Sequence, residues 1–145
     1  MSAWPLGKWL FTKIICIRAP YFSSIKPIIK QLTANEITVS VKKRRSVQNH
    51  IGTVHAIALC NACELAAGVL MEAGLPAHLR WIPKGMTVSY LKKASTHIEA
   101  KTSFPDWKEV NLGDNSLLVN VFNTQQEVVM TAQINMYVSE RAGRA

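Results

Sequence analysis

The feature that most constrains this chain is the apolar stretch at residues 56–73, which reads AIALCNACELAAGVLMEA. Only Asn61, Glu64 and Glu72 in it are strongly polar. A helix that is apolar on nearly every face is expected to be buried on nearly every face. The stretch is long enough to cross a membrane, but its carboxylates would be costly in that setting. It therefore predicts a long helix in the core of a globular protein.

The residues on either side of this stretch favour helix boundaries. Thr53 is the predicted N-cap, and Gly52 gives the preceding turn its conformational freedom. Gly74 is the predicted left-handed stop, and Pro76 blocks continuation of the helix.

Glu64 lies midway along the predicted helix, where a charge is most difficult to accommodate. A buried, ionised carboxylate without partners costs several kcal/mol, so it is paired, neutralised or used. Its neighbours on the same helix face are small, which leaves room for a ligand or a second backbone. These neighbours are Cys60, Asn61, Ala67 and Gly68. Two interpretations stay open at this point, a carboxylate beside a ligand and a structural glutamate bonded across a subunit contact.

The positive charge of the chain is concentrated near its N-terminus. The protein has 145 residues, the size of one domain, and a net charge of +8. Residues 1–50 contain nine Lys and Arg against one acid, Glu36. This asymmetry indicates an anionic partner, such as a phosphate-bearing ligand, nucleic acid or a membrane surface, although a solvated basic face is the alternative. Nucleic acid is disfavoured because the sequence has neither a stacking platform nor a recognition-helix pattern.

The cysteines and histidines indicate neither a disulfide framework nor a metal site. Three cysteines, Cys16, Cys60 and Cys63, cannot all pair, which favours a reducing compartment and predicts a cytoplasmic protein. Cys60 and Cys63 fall inside the apolar helix, where small core residues are the better interpretation. His50 and His55 are five residues apart across a glycine turn, which is not a metal-ligand spacing. We expect no metal and no cofactor.

The remaining pattern predicts an N-terminal helical extension at residues 1–34, a main domain at 35–140 and a flexible tail at 141–145. The extension contains an amphipathic helix at residues 9–17 and a short helix at 25–32, and contact with a membrane surface is not favoured. The predicted strands lie at residues 37–41, 86–91, 96–104, 117–122 and 128–138. One strand, a long buried helix and an antiparallel meander predict an α+β fold whose sheet wraps around the helix.

This element order and three spaced residues resemble the hotdog-fold thioesterase superfamily. Acyl-CoA thioesterases of the phenylacetic-acid-degradation type carry an Asn, a His-Gly-Gly six residues later, and a carboxylate nine residues after the His. Asn49, His55 and Glu64 stand at those intervals. Residues 20–94 look like an uncharacterised bacterial branch of this superfamily. With the strand order and the buried helix included, the resemblance covers about 110 of the 145 residues.

The resemblance implies a hotdog fold and an acyl-CoA thioesterase activity. Glu64 would be the general base or the nucleophile. Asn49 would orient the water or the thioester. Backbone N–H groups at the start of the helix, at Ala56, would form the oxyanion hole, and His55 belongs to the same predicted catalytic set.

The resemblance also implies a homodimer or a dimer of dimers. In the family, one subunit supplies the carboxylate and the other supplies the Asn and the oxyanion loop. Basic side chains would bind the phosphates of coenzyme A, with Arg44, Arg45, Lys84 and Lys92 as candidates. The other predicted substrate-binding residues are Gly52, Thr53 and Met86.

The sequence departs from the family at the two glycines that follow the histidine, which are Ala56 and Ile57 here. Glycine permits close approach of backbone and substrate, so two side chains would narrow or re-aim the oxyanion site. Two functions therefore stay open, an active thioesterase and a non-catalytic protein that binds an acyl ligand.

Overall fold

A six-stranded antiparallel sheet wraps around one long helix in residues 5–142, which are the residues that the computed structural model describes. The helices are α1 (Pro5–Arg18) and α2 (Ala56–Gly74). The strands are β1 (Ile28–Leu32), β2 (Glu36–Val41), β3 (Leu79–Tyr90), β4 (Ile98–Ser103), β5 (Gly113–Phe122) and β6 (Val128–Glu140). Short 3-10 helices cover Pro20–Ile25, Arg45–Val47 and Trp107–Glu109. The strand order is β1-β2-β4-β5-β6-β3.

Helix α2 is the core helix that the sequence predicts. Most of its side chains are buried against the inner face of the sheet, where Val39, Ala100, Val119 and Ala132 are fully enclosed. By length and composition α2 could cross a membrane, but 67% of its apolar window is buried inside the protein. The predicted α+β hotdog fold is confirmed.

The start of α2 differs from the prediction. Thr53 is not the N-cap, because its hydroxyl accepts a hydrogen bond from Asn49 Nδ2 at 2.8 Å. The cap is His55, whose Nδ1 accepts from the Ile57 N–H at 3.0 Å.

The end of α2 also differs. The helix ends at Gly74 as predicted, but the capping residue Leu75 has φ −62°, and Gly74 is not among the residues with positive φ. A Cβ at Gly74 would lie 1.9 Å from the ring of Trp107. Glycine is therefore needed here for close packing and not for a left-handed turn.

The predicted short helix at residues 25–32 is wrong. Lys26 adopts a left-handed conformation with φ 45°, and strand β1 begins two residues later and pairs with β2. Ile29 is fully buried in this strand. Two adjacent β-branched residues, of which Ile29 faces the core, favour a strand over a single helical turn.

The other predicted elements are present. The predicted helix at residues 9–17 lies within α1, and the predicted strands lie within, or overlap, β2 to β6. Strand β3 begins at Leu79, well before the predicted start at residue 86. Its pairing with β6 shifts register between Pro83 and Gly85, which fits a proline that cannot donate a ladder hydrogen bond. Of the predicted tail, Arg141 donates hydrogen bonds to the carbonyls of His78 and Leu79, and residues 143–145 lie outside the described part.

The sheet does not close around α2, because β1 and β3 are its two edge strands. Helix α1 is anchored to β1 along this opening, where the Ile29 N–H donates to the buried Thr12 hydroxyl at 3.1 Å. The opening between α1 and β3, with α2 as its floor, contains a cavity of about 860 Å³.

Candidate active site

Asn49 organises the turn that leads into α2. Its Oδ1 accepts hydrogen bonds from the N–H groups of Ile51 and Thr53, both at 3.1 Å, and its Nδ2 donates to the Thr53 hydroxyl. Gly52 takes φ 80° within this turn, a conformation that side-chain-bearing residues rarely adopt. The second Nδ2 hydrogen of Asn49 meets no acceptor in the described residues, so it is free to bind a ligand.

The first turn of α2 presents free backbone donors. The Ile57 N–H is used by the His55 cap, whereas the N–H groups of Ala56 and Ala58 have no acceptor within residues 5–142. Unpaired N–H groups at the positive end of the helix dipole favour an anion or a developing negative charge. The Ile57 side chain, 53% exposed, lies beside them.

Glu64 is half-buried on the one face of α2 that the sheet leaves uncovered. Its carboxylate has no hydrogen bond or ion pair with any described side chain or backbone group. It opens into a cavity of about 860 Å³ between α1, α2 and β3. The arrangement places an acceptor-only group with free lone pairs in the wall of a ligand-sized space.

Trp81 of β3 forms the wall of this cavity opposite α1. Its Nε1 donates to Glu72 Oε1 at 2.7 Å, and its ring lies 3.0 Å from the position that a Cβ on Gly68 would occupy. Gly68 therefore allows the indole to lie directly on α2. Gly68 was predictable from the sequence as a small neighbour of Glu64. Trp81 was not, because its contact with α2 depends on the register of β3.

A single chain does not bring the predicted catalytic groups together. Glu64 is eight residues after Ala56 on the same helix, which corresponds to about 12 Å along the axis. A base and an oxyanion donor that act on one carbonyl group must both lie roughly 3 Å from the reacting atoms. The backbone positions of Glu64 and Ala56 on the same α2 are farther apart than this, which favours a partner for each group from another copy of the helix.

Three of the four basic side chains predicted to bind phosphates have partners inside the chain. Arg44 donates to the Ser24 carbonyl at 2.9 Å. Lys92 forms an ion pair with Glu127, and Lys84 lies over the Tyr137 ring, 4.0 Å from Asp114. Arg45 is exposed, and no described residue binds its side chain. Met86, the remaining predicted contact, is 41% exposed on β3.

The Cys60 and Cys63 pair is part of the core. Both thiols are buried, and burial raises the pKa of the Cys63 thiol far above its usual range. A thiol that is kept protonated is a poor nucleophile and a poor metal ligand. Within residues 5–142, no three His, Cys, Asp or Glu side chains are close enough to hold a metal ion.

Comparisons with known proteins agree with this architecture. A family model described as "Domain of unknown function (DUF4442)" matches residues 7–138. A structural-genomics crystal structure is 46% identical, with 90% of this chain and 88% of that chain covered and a TM-score of 0.84. No match is found among the curated proteins.

Two further structures carry functional names. One, from Pseudomonas aeruginosa, is named "Probable Thioesterase", with 19% identity, coverage of 87% of this chain and 91% of that chain, and a TM-score of 0.80. The other is a Haemophilus influenzae thioesterase, with 9% identity, coverage of 83% and 82%, and a TM-score of 0.72. These similarities show a shared fold, and the resemblance to the hotdog-fold thioesterase superfamily is confirmed at that level.

Proposed function

We propose that this chain, which belongs to the DUF4442 family, is a thioester hydrolase that acts on acyl-CoA-type substrates. The observation that carries the proposal is Glu64. It is a carboxylate on an otherwise apolar core helix, it lacks a partner among the described residues, and it faces a cavity of about 860 Å³. The names of the structural neighbours support the same class of reaction.

Thioester hydrolysis requires an activated nucleophile and a donor for the oxyanion. Glu64 removes a proton from a water molecule that attacks the carbonyl carbon, or attacks that carbon itself to give an anhydride that water then cleaves. In either case the C–S bond breaks and the thiol leaves. The free N–H groups of Ala56 and Ala58 stabilise the negative charge on the carbonyl oxygen. The free Nδ2 hydrogen of Asn49 orients the water or the thioester.

The axial distance of about 12 Å between Glu64 and Ala56 supports a site whose second half comes from another copy of the chain. The surface around β3 supports such a dimer. β3 is an edge strand, so one side of its backbone lacks ladder partners within this chain. Met86 and Tyr90 lie on its inner face, opposite the buried Ile134 and Met130, yet are 41% and 55% exposed. A homodimer that covers this face would place Glu64 of one copy beside the α2 N-terminus of the other. A dimer of dimers would preserve the same pairing.

The basic N-terminal third favours a substrate that carries phosphates. Arg45 is the strongest of the predicted phosphate contacts, because the side chains of Arg44, Lys84 and Lys92 are engaged within the chain. The three free thiols fit a cytoplasmic setting.

One observation favours a second function, binding of an acyl ligand without hydrolysis. Ile57 is 53% exposed beside the free N–H groups, where the related thioesterases carry glycine. A β-branched side chain at this position would hinder the approach of a thioester carbonyl. A measurement of turnover distinguishes hydrolysis of the thioester from binding of the ligand alone.

The test is the release of free thiol from a panel of short, medium, long and aromatic acyl-CoAs. The variants are Glu64→Gln and, as a matched control, Glu109→Gln, since Glu109 is exposed and far from α2 in the sequence. We expect turnover by the wild type and the control, and a loss in kcat of at least about 100-fold in Glu64→Gln. Wild-type kcat in Glu64→Gln would remove Glu64 from the mechanism. Binding without turnover of any substrate would establish the second function.

A further inference from the structure

We propose that the cavity between α1, α2 and β3 is an acyl-chain site that selects chains of medium length. The inference rests on the proposed function only for the identity of the carbonyl group that is held at Glu64. The site itself is defined by the shape and chemistry of the cavity.

The cavity extends in one direction from the carboxylate. Glu64 is the first α2 residue in its wall, and the α2 residues that follow are Leu65, Gly68, Val69, Glu72 and Ala73. From Glu64 to Ala73 the helix advances about 13 Å. An extended chain advances roughly 1.2 Å per bond, so this length holds about ten to twelve carbons. A thioester whose carbonyl lies at Glu64 would therefore direct its tail along α2 toward Ala73.

The walls are suited to an aliphatic tail. Helix α1 contributes Phe11, Ile14 and Ile15, and β3 contributes Trp81 and Pro83. Apolar surface of this kind binds methylene groups by removing them from water. A single aromatic ring held beside Glu64 would leave the wall from Leu65 to Ala73 largely without contacts, whereas an extended chain reaches along it.

The charged groups in the wall do not oppose this assignment. Glu72 accepts the Trp81 Nε1–H at 2.7 Å, which directs its charge toward the indole edge. Arg18 is exposed at the rim of the cavity, where its guanidinium keeps contact with water while its methylene groups extend the apolar wall. Glu64 is thus the one described acid in the wall whose carboxylate has no partner in the chain.

Gly68 and Trp81 are in close contact in the cavity wall. Because a Cβ at Gly68 would lie 3.0 Å from the Trp81 ring, the indole lies against α2 and the space remains between it and α1. The acyl specificity therefore derives from α1 and from the first half of β3.

The chain length of the ligand is the quantity to measure. Each added methylene should strengthen binding about two- to fourfold up to about ten to twelve carbons, after which the gain should stop. The probes are saturated acyl-CoAs from two to sixteen carbons for kcat/KM, and the matching S-alkyl-CoA thioethers, which cannot be hydrolysed, for Kd by calorimetry.

Ala73→Phe is the test variant, because Ala73 is exposed at the far end of the channel and a ring there would shorten it. We expect the preference for dodecanoyl over butanoyl ligands to fall at least tenfold in both measurements. Ala77→Phe, in the exposed turn after α2 and outside the cavity wall, is the control and should keep the wild-type preference. Ile14→Trp narrows the channel from α1 and provides a second variant should Ala73→Phe fail to fold.

The two readouts separate the acyl-chain site from the proposed function. Suppose that thioether binding depends on chain length, that Ala73→Phe removes this dependence, and that the wild type hydrolyses no acyl-CoA. This result would support the acyl-chain site and contradict the proposed hydrolysis. The acyl-chain site would be overturned if turnover or binding did not depend on chain length. It would also be overturned if Ala73→Phe and Ile14→Trp both kept the wild-type preference for long over short chains. In that case turnover would still support the thioesterase.

Discussion

Glu64 and Glu72 are eight residues apart on the uncovered face of α2, and their surroundings assign them different roles. Glu72, near the helix end, is exposed, and it accepts a hydrogen bond from Trp81. Glu64 has no such partner in the described residues. Of the two acids on this helix, Glu64 is therefore the one whose lone pairs are available for a reaction.

Asn49 has both a structural and a proposed catalytic role, and two substitutions separate them. Asn49→Ala removes the acceptor of two backbone N–H groups, so we expect a loss of about 1–3 kcal/mol in the free energy of unfolding. Asn49→Asp keeps that acceptor but removes the Nδ2 donor. Urea denaturation of Asn49→Asp should therefore resemble the wild type, whereas its kcat should fall at least about tenfold.

The contrast between the two variants decides the role of Asn49. A wild-type kcat in a stable Asn49→Asp protein would mean that Asn49 only holds the turn. Equal losses of stability in both variants would contradict the hydrogen-bond pattern of the turn.

The sequence predicts some of these features of individual residues but not others. Glu64 stood out because a charge in an apolar stretch is visible in the sequence. The Thr53 cap was wrong because Asn49 binds the same hydroxyl, which a capping pattern does not reveal. Gly74 was assigned to a turn although its reason is contact with Trp107, 33 residues away in the chain.

Among the secondary-structure elements, β3 departs most from its sequence pattern. Its first half, LRWIPKG, lacks clean alternation and contains Pro83, so periodicity predicts a strand only from residue 86. The pairing with β6 continues through a register shift at that proline. This first half places Trp81 and Pro83 in the cavity wall. Because its irregular pattern does not predict a strand, the cavity wall could not be predicted from the sequence either. β1 was missed because five residues are too few for a periodicity to be distinguished.

A substitution on the exposed inner face of β3 tests whether this face is the dimer interface. Met86→Lys introduces a charge into the proposed interface, so we expect dissociation to monomers in light scattering and, because the site is shared, loss of turnover. Leu118→Lys, 52% exposed on the outer face of β5, is the matched control and should leave the dimer intact. A Met86→Lys protein with the mass and activity of a wild-type dimer would place the interface elsewhere.

For the molecule as a whole, the fold could be predicted further than the site. The long apolar helix and the alternating strands define a sheet wrapped around a core helix, and the chain has that architecture. The spacing of Asn49, His55 and Glu64 predicts candidate site residues but not the distances between them. Those distances follow from α2 being one continuous helix, which separates Ala56 from Glu64 by about 12 Å.

The central claim, a thioester site completed by two copies, is tested most directly by complementation. Ala56→Pro removes one of the two proposed oxyanion N–H groups, and proline is well tolerated at the first helical position, which Ala56 occupies after the His55 cap. Ala56→Gly keeps the N–H and is the control. Ala56→Pro and Glu64→Gln are each expected to be inactive alone. After co-refolding at equal amounts, half of the dimers contain one intact site of two, so activity should return to about one quarter of the wild type. Mixed dimers that form, as seen by native mass spectrometry, but remain inactive would contradict a shared site.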